Sequence, residues 1–227
     1  MSSTAAIITA AGSSRRMGFD KLQRSLNGLP LIAHTIGRIA SVPEIGAIVL
    51  AVRPGGIAQM QALVNECVPG TIAVIVEGGE TRVHSVWNAL QAVPAGTEIV
   101  AVHDGARPFV SVAAVQQCIA AARESGGAIL AHPVTPTIKQ ADEALRVART
   151  LDRRTLWGAA TPQCFRLDAY RAAYERLWAS GIDVSTITDD ARIFELAGGT
   201  VRIIPSNEEN IKLTTALDWR LAELLTE

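Results

Sequence analysis

The chain has 227 residues, 48% of them hydrophobic and 19% charged, which excludes a disordered or fibrous protein and leaves room for a sizeable core. With 21 Lys and Arg against 22 Asp and Glu, the net charge is −1, so bulk attraction to nucleic acid or to an anionic membrane is excluded and any anion binding must come from local clusters. No apolar run approaches the roughly eighteen residues of a membrane span and the N-terminus lacks a basic region followed by an apolar signal core, so a cytoplasmic protein without membrane or nucleic-acid partners is expected.

The first strand is predicted at 5–9. It is followed by Ala10, Ala11, Gly12, Ser13 and Ser14, residues small enough for backbone N–H groups to approach an anion. Arg15, Arg16 and Lys21 then place positive charge where that anion would lie. This layout suits a phosphate site at the end of a first strand, although Gly12 and Gly18 satisfy neither the dinucleotide fingerprint nor the P-loop spacing. An ordinary strand-to-loop turn with solvated arginines is the plain alternative.

Further strands are predicted at 47–52, 72–76, 99–103 and 128–131, each continuously apolar as doubly covered parallel strands are. Helices are predicted between them at 31–40, 57–64, 82–92 and 112–125. The alternation implies an α/β fold: a Rossmann-like, mostly parallel sheet flanked by helices. Ligands of such sheets bind at the carboxyl ends of the strands, where Glu77 to Glu80, Asp104 to Arg107 and Pro133 to Thr137 join the first loop on one rim.

HDGARP, at 103–108, gives Asp104 a position from which to accept hydrogen bonds from substrate hydroxyls, and Arg107 one from which to meet a phosphate. Equally, Asp104 could cap the turn and Arg107 pair with it. Ser85, behind Gly78, Gly79 and Glu80, is either a helix-surface hydroxyl or a base or ribose contact. Among the histidines only His103 stands beside other chemical candidates, and Cys67, Cys118 and Cys164 show neither disulfide nor zinc spacing.

From Pro133 the pattern changes. Residues 137–151 form two extended pieces around a polar turn at Asp142 and Glu143, a hairpin arm that needs something to pack on; a second copy of the chain, giving a homodimer, is the simplest candidate. Arg153 closes this arm, which occupies about 134–154 of a single domain, 1–227. Beyond it come helices at 166–180 and 188–197, a strand at 200–204 and a last helix at 216–225. Thr188, Asp189 and Asp190 suit an N-terminal cap. Lys212, in a short apolar piece, is an edge residue unless it faces the rim.

AAGSSRRMGFDK, EGGETRVHSV, VHDGARP, PVTPTIK, the DRR…LW…ATPQ segment, TDDA and NIKLTT, in this order, closely resemble the 2-C-methyl-D-erythritol 4-phosphate cytidylyltransferase family over about residues 5–225. The resemblance implies that CTP reacts with methylerythritol phosphate by in-line attack on the α-phosphate, with a divalent ion, usually Mg2+, carried mainly on CTP phosphates. It implies roles for Arg16 and Lys21 in stabilising the transition state, and for Ala10, Ala11, Gly12, Ser13, Gly79, Glu80 and Ser85 in holding the nucleotide. Asp104, Arg107, Thr137 and Thr161 match second-substrate positions, some reaching across a dimer. Arg153 and Lys212 match residues that position that substrate. Two departures stand out: a short segment between Arg16 and Lys21, and Glu80 where aspartate is frequent. Two alternatives are a ribitol-phosphate cytidylyltransferase, whose first loop more often begins Ala-Gly-Gly, and a non-catalytic nucleotide-binding domain.

Overall fold

The computed structural model describes residues 4–12, 21–71 and 73–226. In chain order its elements are β1 (Thr4–Ala10), β2 (Ser25–Leu26), β3 (Leu29–Pro30), α1 (Leu31–Ala40), β4 (Ile45–Val52), α2 (Ile57–Cys67), β5 (Ala73–Glu77), α3 (Arg82–Gln91) and β6 (Ile99–Asp104). There follow α4 (Val112–Ser125), β7 (Gly127–Pro133), β8 (Lys139–Ala141), β9 (Val147–Thr150), β10 (Trp157–Arg166), α5 (Leu167–Ser180), α6 (Asp190–Leu196), β11 (Val201–Pro205) and α7 (Ala216–Leu225).

Seven strands form one sheet in the order β11-β7-β10-β6-β1-β4-β5. Every neighbouring pair is parallel except those made by β10, which runs antiparallel between β6 and β7. The chain steps outward from β1 to β4 and β5, then returns to the other side of β1 as β6. That reversal opens a crevice at the carboxyl ends of β1 and β6, where ligands of open α/β sheets bind.

Because side chains alternate along a strand, β1 feeds two cores. Ala6, Ile8 and Ala10 pack on the face covered by α1, α2, α4 and α7, with Ile36, Val64, Cys118 and Trp219. Ala5 and Ile7 pack on the opposite face with Val86, Tyr170, Tyr174 and Phe194 of α3, α5 and α6. With both faces covered, β4 and the interior of β1 and of β6 up to Val102 are almost continuously apolar.

Helix ends follow local chemistry. Ser111 caps α4 by accepting a bond from the Ala114 N–H, and Thr215 with Asp218 forms a reciprocal capping box on α7. β10 has no counterpart among the predicted strands: Pro162 lies within it, and its pairing with β7 is broken between Ala159 and Gln163. The predicted arm is a two-stranded ribbon, β8 with β9, on which Leu145 is 88% and Val147 63% exposed.

Candidate active site

Parallel register places the strand ends side by side. Thr9 of β1 faces Asp104 of β6, Ala10 faces Val52 of β4, and Val52 faces Glu77 of β5. Each following loop leaves at the same rim and is tied to a neighbouring strand: the Gly105 N–H donates to the Thr9 carbonyl at 3.0 Å and the Gly78 N–H to that of Val52 at 2.7 Å. A Cβ on Gly105 would lie 2.9 Å from the Thr9 oxygen, so this close approach of two backbones requires glycine.

On one side of the rim, β1 ends in buried Ala10, followed by half-buried Ala11 and exposed Gly12. The turn after β5 lies directly against it, since a Cβ on Gly78 would stand 2.6 Å from that of Ala11. Ser85 is buried and fixes the turn: its oxygen accepts the Gly79 N–H at 3.0 Å and its hydroxyl donates to the Thr81 carbonyl at 2.9 Å. Glu80 is exposed beside it. Lys21 donates from Nζ to the Leu213 carbonyl at 2.8 Å, which joins the end of the first loop to the segment bearing Lys212. Ser13 and Arg16 lie outside the described residues.

On the other side stands Asp104, its side chain 8% exposed and faced by three cations. Lys212 Nζ is 2.9 Å and Arg107 Nε 3.3 Å from Oδ2, while Arg82 Nε is 3.6 Å from Oδ1. Burial alone would raise the carboxyl pKa; Arg82, Lys212 and Arg107 outweigh it and hold the group well below the usual carboxylate range. Asp104 is therefore an anion at neutral pH. Arg107 also donates from Nη1 to the Asn210 carbonyl at 2.7 Å, so Nε and Nη1 of its guanidinium have partners within the protein. Lys212 faces the rim and remains 42% exposed.

A hydrogen-bond chain supports the Asp104 backbone. The His103 Nε2 lies 3.0 Å from the Arg107 carbonyl, which can only accept, so Nε2 carries the hydrogen and Nδ1 accepts from the Thr161 hydroxyl at 3.0 Å. The Thr161 oxygen in turn accepts the Asp104 N–H at 3.1 Å. Thr161 thus meets the backbone of Asp104 and the ring of His103, and it owes this place to β10, which carries it in between β6 and β7.

Three contributors escape a reading of the sequence, and a fourth, Asp190, reads there only as part of a helix cap. Arg82 pairs with Asp190 at 2.6 Å as well as with Asp104. Asp189 caps α6 as expected, but Asp190 is fully buried and receives the Tyr170 hydroxyl at 2.6 Å. Gln163 accepts the N–H groups of Asp190 and Ala191, and Asn210 donates to the Thr161 carbonyl at 3.0 Å. The signal for Arg82 is its position: a cation in the first turn of a helix opposes the helix dipole and needs carboxylates nearby. Asn210 and Gln163 carry no such signal.

Thr137 and Arg153 are exposed on the arm, and the Arg153 guanidinium donates to the Thr135 carbonyl. No hydrogen bond or ion pair among the described residues joins either of them to the Asp104 cluster. Nor, among the described residues, does any group of three His, Cys, Asp or Glu side chains stand ready to hold a metal ion. The three cations around Asp104 disfavour a bare divalent ion there; an ion carried on phosphate oxygens would bring its own ligands.

The rim thus presents a small-residue turn and a lysine beside an ionised, cation-ringed aspartate. The chain matches the family model of IspD, 2-C-methyl-D-erythritol 4-phosphate cytidylyltransferase, over residues 4–227. The enzyme of that name from Geobacillus kaustophilus is 41% identical over 222 residues, covering 97% of this chain and 95% of its relative. That of Alkaliphilus oremlandii is 40% identical, with 98% and 94% covered. The crystal structure of 4-diphosphocytidyl-2C-methyl-D-erythritol synthase from Anaerococcus prevotii superposes with a TM-score of 0.86 at 30% identity, covering 98% of this chain and 95% of the other. That of the cytidylyltransferase from Thermus thermophilus does so at 0.79 and 30%, with 97% of each covered. Matched over nearly its whole length in sequence and in fold, this chain belongs to the IspD family of 2-C-methyl-D-erythritol 4-phosphate cytidylyltransferases.

Proposed function

We propose that this protein transfers a cytidylyl group from CTP to 2-C-methyl-D-erythritol 4-phosphate, releasing pyrophosphate and 4-diphosphocytidyl-2-C-methyl-D-erythritol. The observation that carries the reading is Asp104: an anion held at a strand end by Arg82, Arg107 and Lys212, on the same rim as the small-residue turn. A carboxylate kept ionised accepts hydrogen bonds from polyol hydroxyls. Exposed Lys212 beside it takes the phosphate of the same molecule.

By resemblance, Ala10, Ala11, Gly12 and Ser13 hold the triphosphate, and Gly79, Glu80 and Ser85 the base. A phosphate oxygen of the polyol attacks the α-phosphorus in line, and the bond from that phosphorus to the pyrophosphate oxygen breaks. No covalent enzyme intermediate forms, so the residues act by positioning and by stabilising charge. By resemblance, Arg16 and Lys21 stabilise the charge that builds on the α-phosphate. The link from Lys21 to the Leu213 carbonyl supports this, since it sets Lys21 beside the Lys212 segment. A divalent ion, magnesium by resemblance, would arrive on the CTP phosphates and offset charge on the departing pyrophosphate.

The arm serves a homodimer and offers Thr137 and Arg153 to the second substrate, some of these contacts crossing to the partner's site. Exposed Leu145 and Val147 support that reading because they leave apolar surface to be covered. With both substrates charged and phosphorylated, the reaction belongs in the cytoplasm. Pyrophosphate release is the test, measured with CTP and Mg2+ plus either methylerythritol phosphate or ribitol 5-phosphate. Release with the first is expected; release with neither, or with ribitol phosphate alone, overturns the assignment.

A further inference from the structure

The steps above leave one buried ion pair without a task. Arg82 opens α3 and Asp190 opens α6, and they meet with Nη2 2.6 Å from Oδ2. Asp190 is fully enclosed and Arg82 has 26% of its side chain exposed. Among the described residues Arg82 is the sole partner of that Asp190 oxygen. A buried pair of this kind is a poor source of stability, since desolvation consumes most of its attraction; fixing an orientation is its better-attested use.

Here the orientation belongs to Asp104. Asp190 is itself immobilised, by the Tyr170 hydroxyl at 2.6 Å on Oδ1 and by Gln163 on its own N–H at 3.0 Å. Thus anchored, the guanidinium turns its Nε towards Asp104. The two oxygens of Asp104 are held differently. Oδ2 has Lys212 at 2.9 Å and Arg107 at 3.3 Å, both within hydrogen-bond reach. Oδ1 has Arg82 at 3.6 Å and the Thr9 hydroxyl at 3.5 Å, beyond or at the edge of that reach. Oδ1 is therefore steered by charge and by one long hydrogen bond from Thr9, which leaves it capacity to accept from a further donor.

We propose that Arg82, anchored by Asp190, is a positioning residue that orients the Asp104 carboxylate so that Oδ1 is presented to the polyol hydroxyls. The proposal rests on the reading of Asp104 as the polyol-side carboxylate. It places the effect on the second substrate alone, even though Arg82 sits on the helix that carries Ser85.

The test compares wild type with Arg82→Met, Arg82→Lys, Asp190→Asn and the double variant Arg82→Met/Asp190→Asn. KM for methylerythritol phosphate is read from pyrophosphate release, the Kd of CTP from titration without the polyol, and folding from thermal unfolding. Arg82→Met is expected to raise that KM by about ten-fold or more, the loss typical of one charged contact, with the CTP Kd unchanged. Arg82→Lys recovers part of the loss. Asp190→Asn keeps its shape and moves KM in the same direction, so a folding defect in Arg82→Met leaves the test intact. The double variant is no worse than Arg82→Met, because Asp190 acts through Arg82. Unchanged KM in Asp190→Asn and Arg82→Met, an equal loss of CTP affinity, or additive effects would overturn the proposal while wild-type turnover still upheld the assigned reaction. Absence of wild-type turnover would bring down both.

Discussion

His103 lies fully buried beside the cluster, and its charge state is set chiefly by that burial. Burial lowers its pKa to about 4, with the Arg107 and Lys212 charges acting in the same direction against the Arg107 carbonyl and Asp104. The unfolded chain takes up this proton below about pH 6.5, and the folded chain only near pH 4. Stability from the neutral ring is therefore complete above the unfolded value and drains away as pH falls through the window between the two. Wild type should lose about 2–3 kcal/mol from this group between pH 7 and pH 4.5, and His103→Gln, less stable at pH 7, should lack that component; urea unfolding at the two pH values checks it. Asp104 acts in a lower window, because a depressed carboxylate contributes fully above about pH 4 and fails only on further acidification. Both positions are readable in the sequence because the residue after an apolar parallel strand sits on the rim whatever the rest of the chain does. Lys212 is ambiguous there, since only the loop's path decides whether a lysine between two apolar residues turns to the rim. Arg82 opens the helix expected at 82–92, and its partner Asp190 lies 108 positions away, where no local pattern links the two.

The turn between β5 and α3 is the element in which packing and ligand binding meet most closely. A methyl group on Gly78 would stand 2.6 Å from Ala11 Cβ and 2.7 Å from Ser85 Oγ. Gly78→Ala must therefore push the turn away from the end of β1, costing about 1–3 kcal/mol as overpacking does. CTP binding should weaken in step, and calorimetric titration beside thermal unfolding checks both. Elements defined by local chemistry are legible in the sequence: the helices expected at 31–40, 112–125 and 216–225 have the boundaries that α1, α4 and α7 show. In α4 and α7, capping side chains mark the start. β10 is invisible for the opposite reason. Its residues carry a proline and no clean alternation, and they become a strand only because β6 and β7, both earlier in the chain, leave a gap for them. β2 and β3, two residues each, are too short to leave a pattern.

At the scale of the whole molecule the arm stands apart from both cores. An isolated two-stranded ribbon is marginal in water, and Leu145 and Val147 lie open along this one. The chain should sediment as a dimer. Replacing residues 139–150 with a short Gly-Ser linker should give a monomer that binds CTP as before but needs more methylerythritol phosphate for half-maximal rate. A dimer in the shortened variant, by analytical ultracentrifugation, would move the interface elsewhere. The antiparallel strand in the middle of the sheet also shapes how the chain is made. β10 joins two parts of the sheet, β6 on one side and β7 on the other, yet it emerges after both, and after the arm. Until residue 166 has left the ribosome, each part presents a bare strand edge. The sheet is thus closed from within, by the strand that carries Thr161 and Gln163 to their partners, and only the edge strand β11 remains to be added. A nascent chain stalled before β10 would hold most of its apolar residues and no joined sheet, a state open to edge-to-edge aggregation.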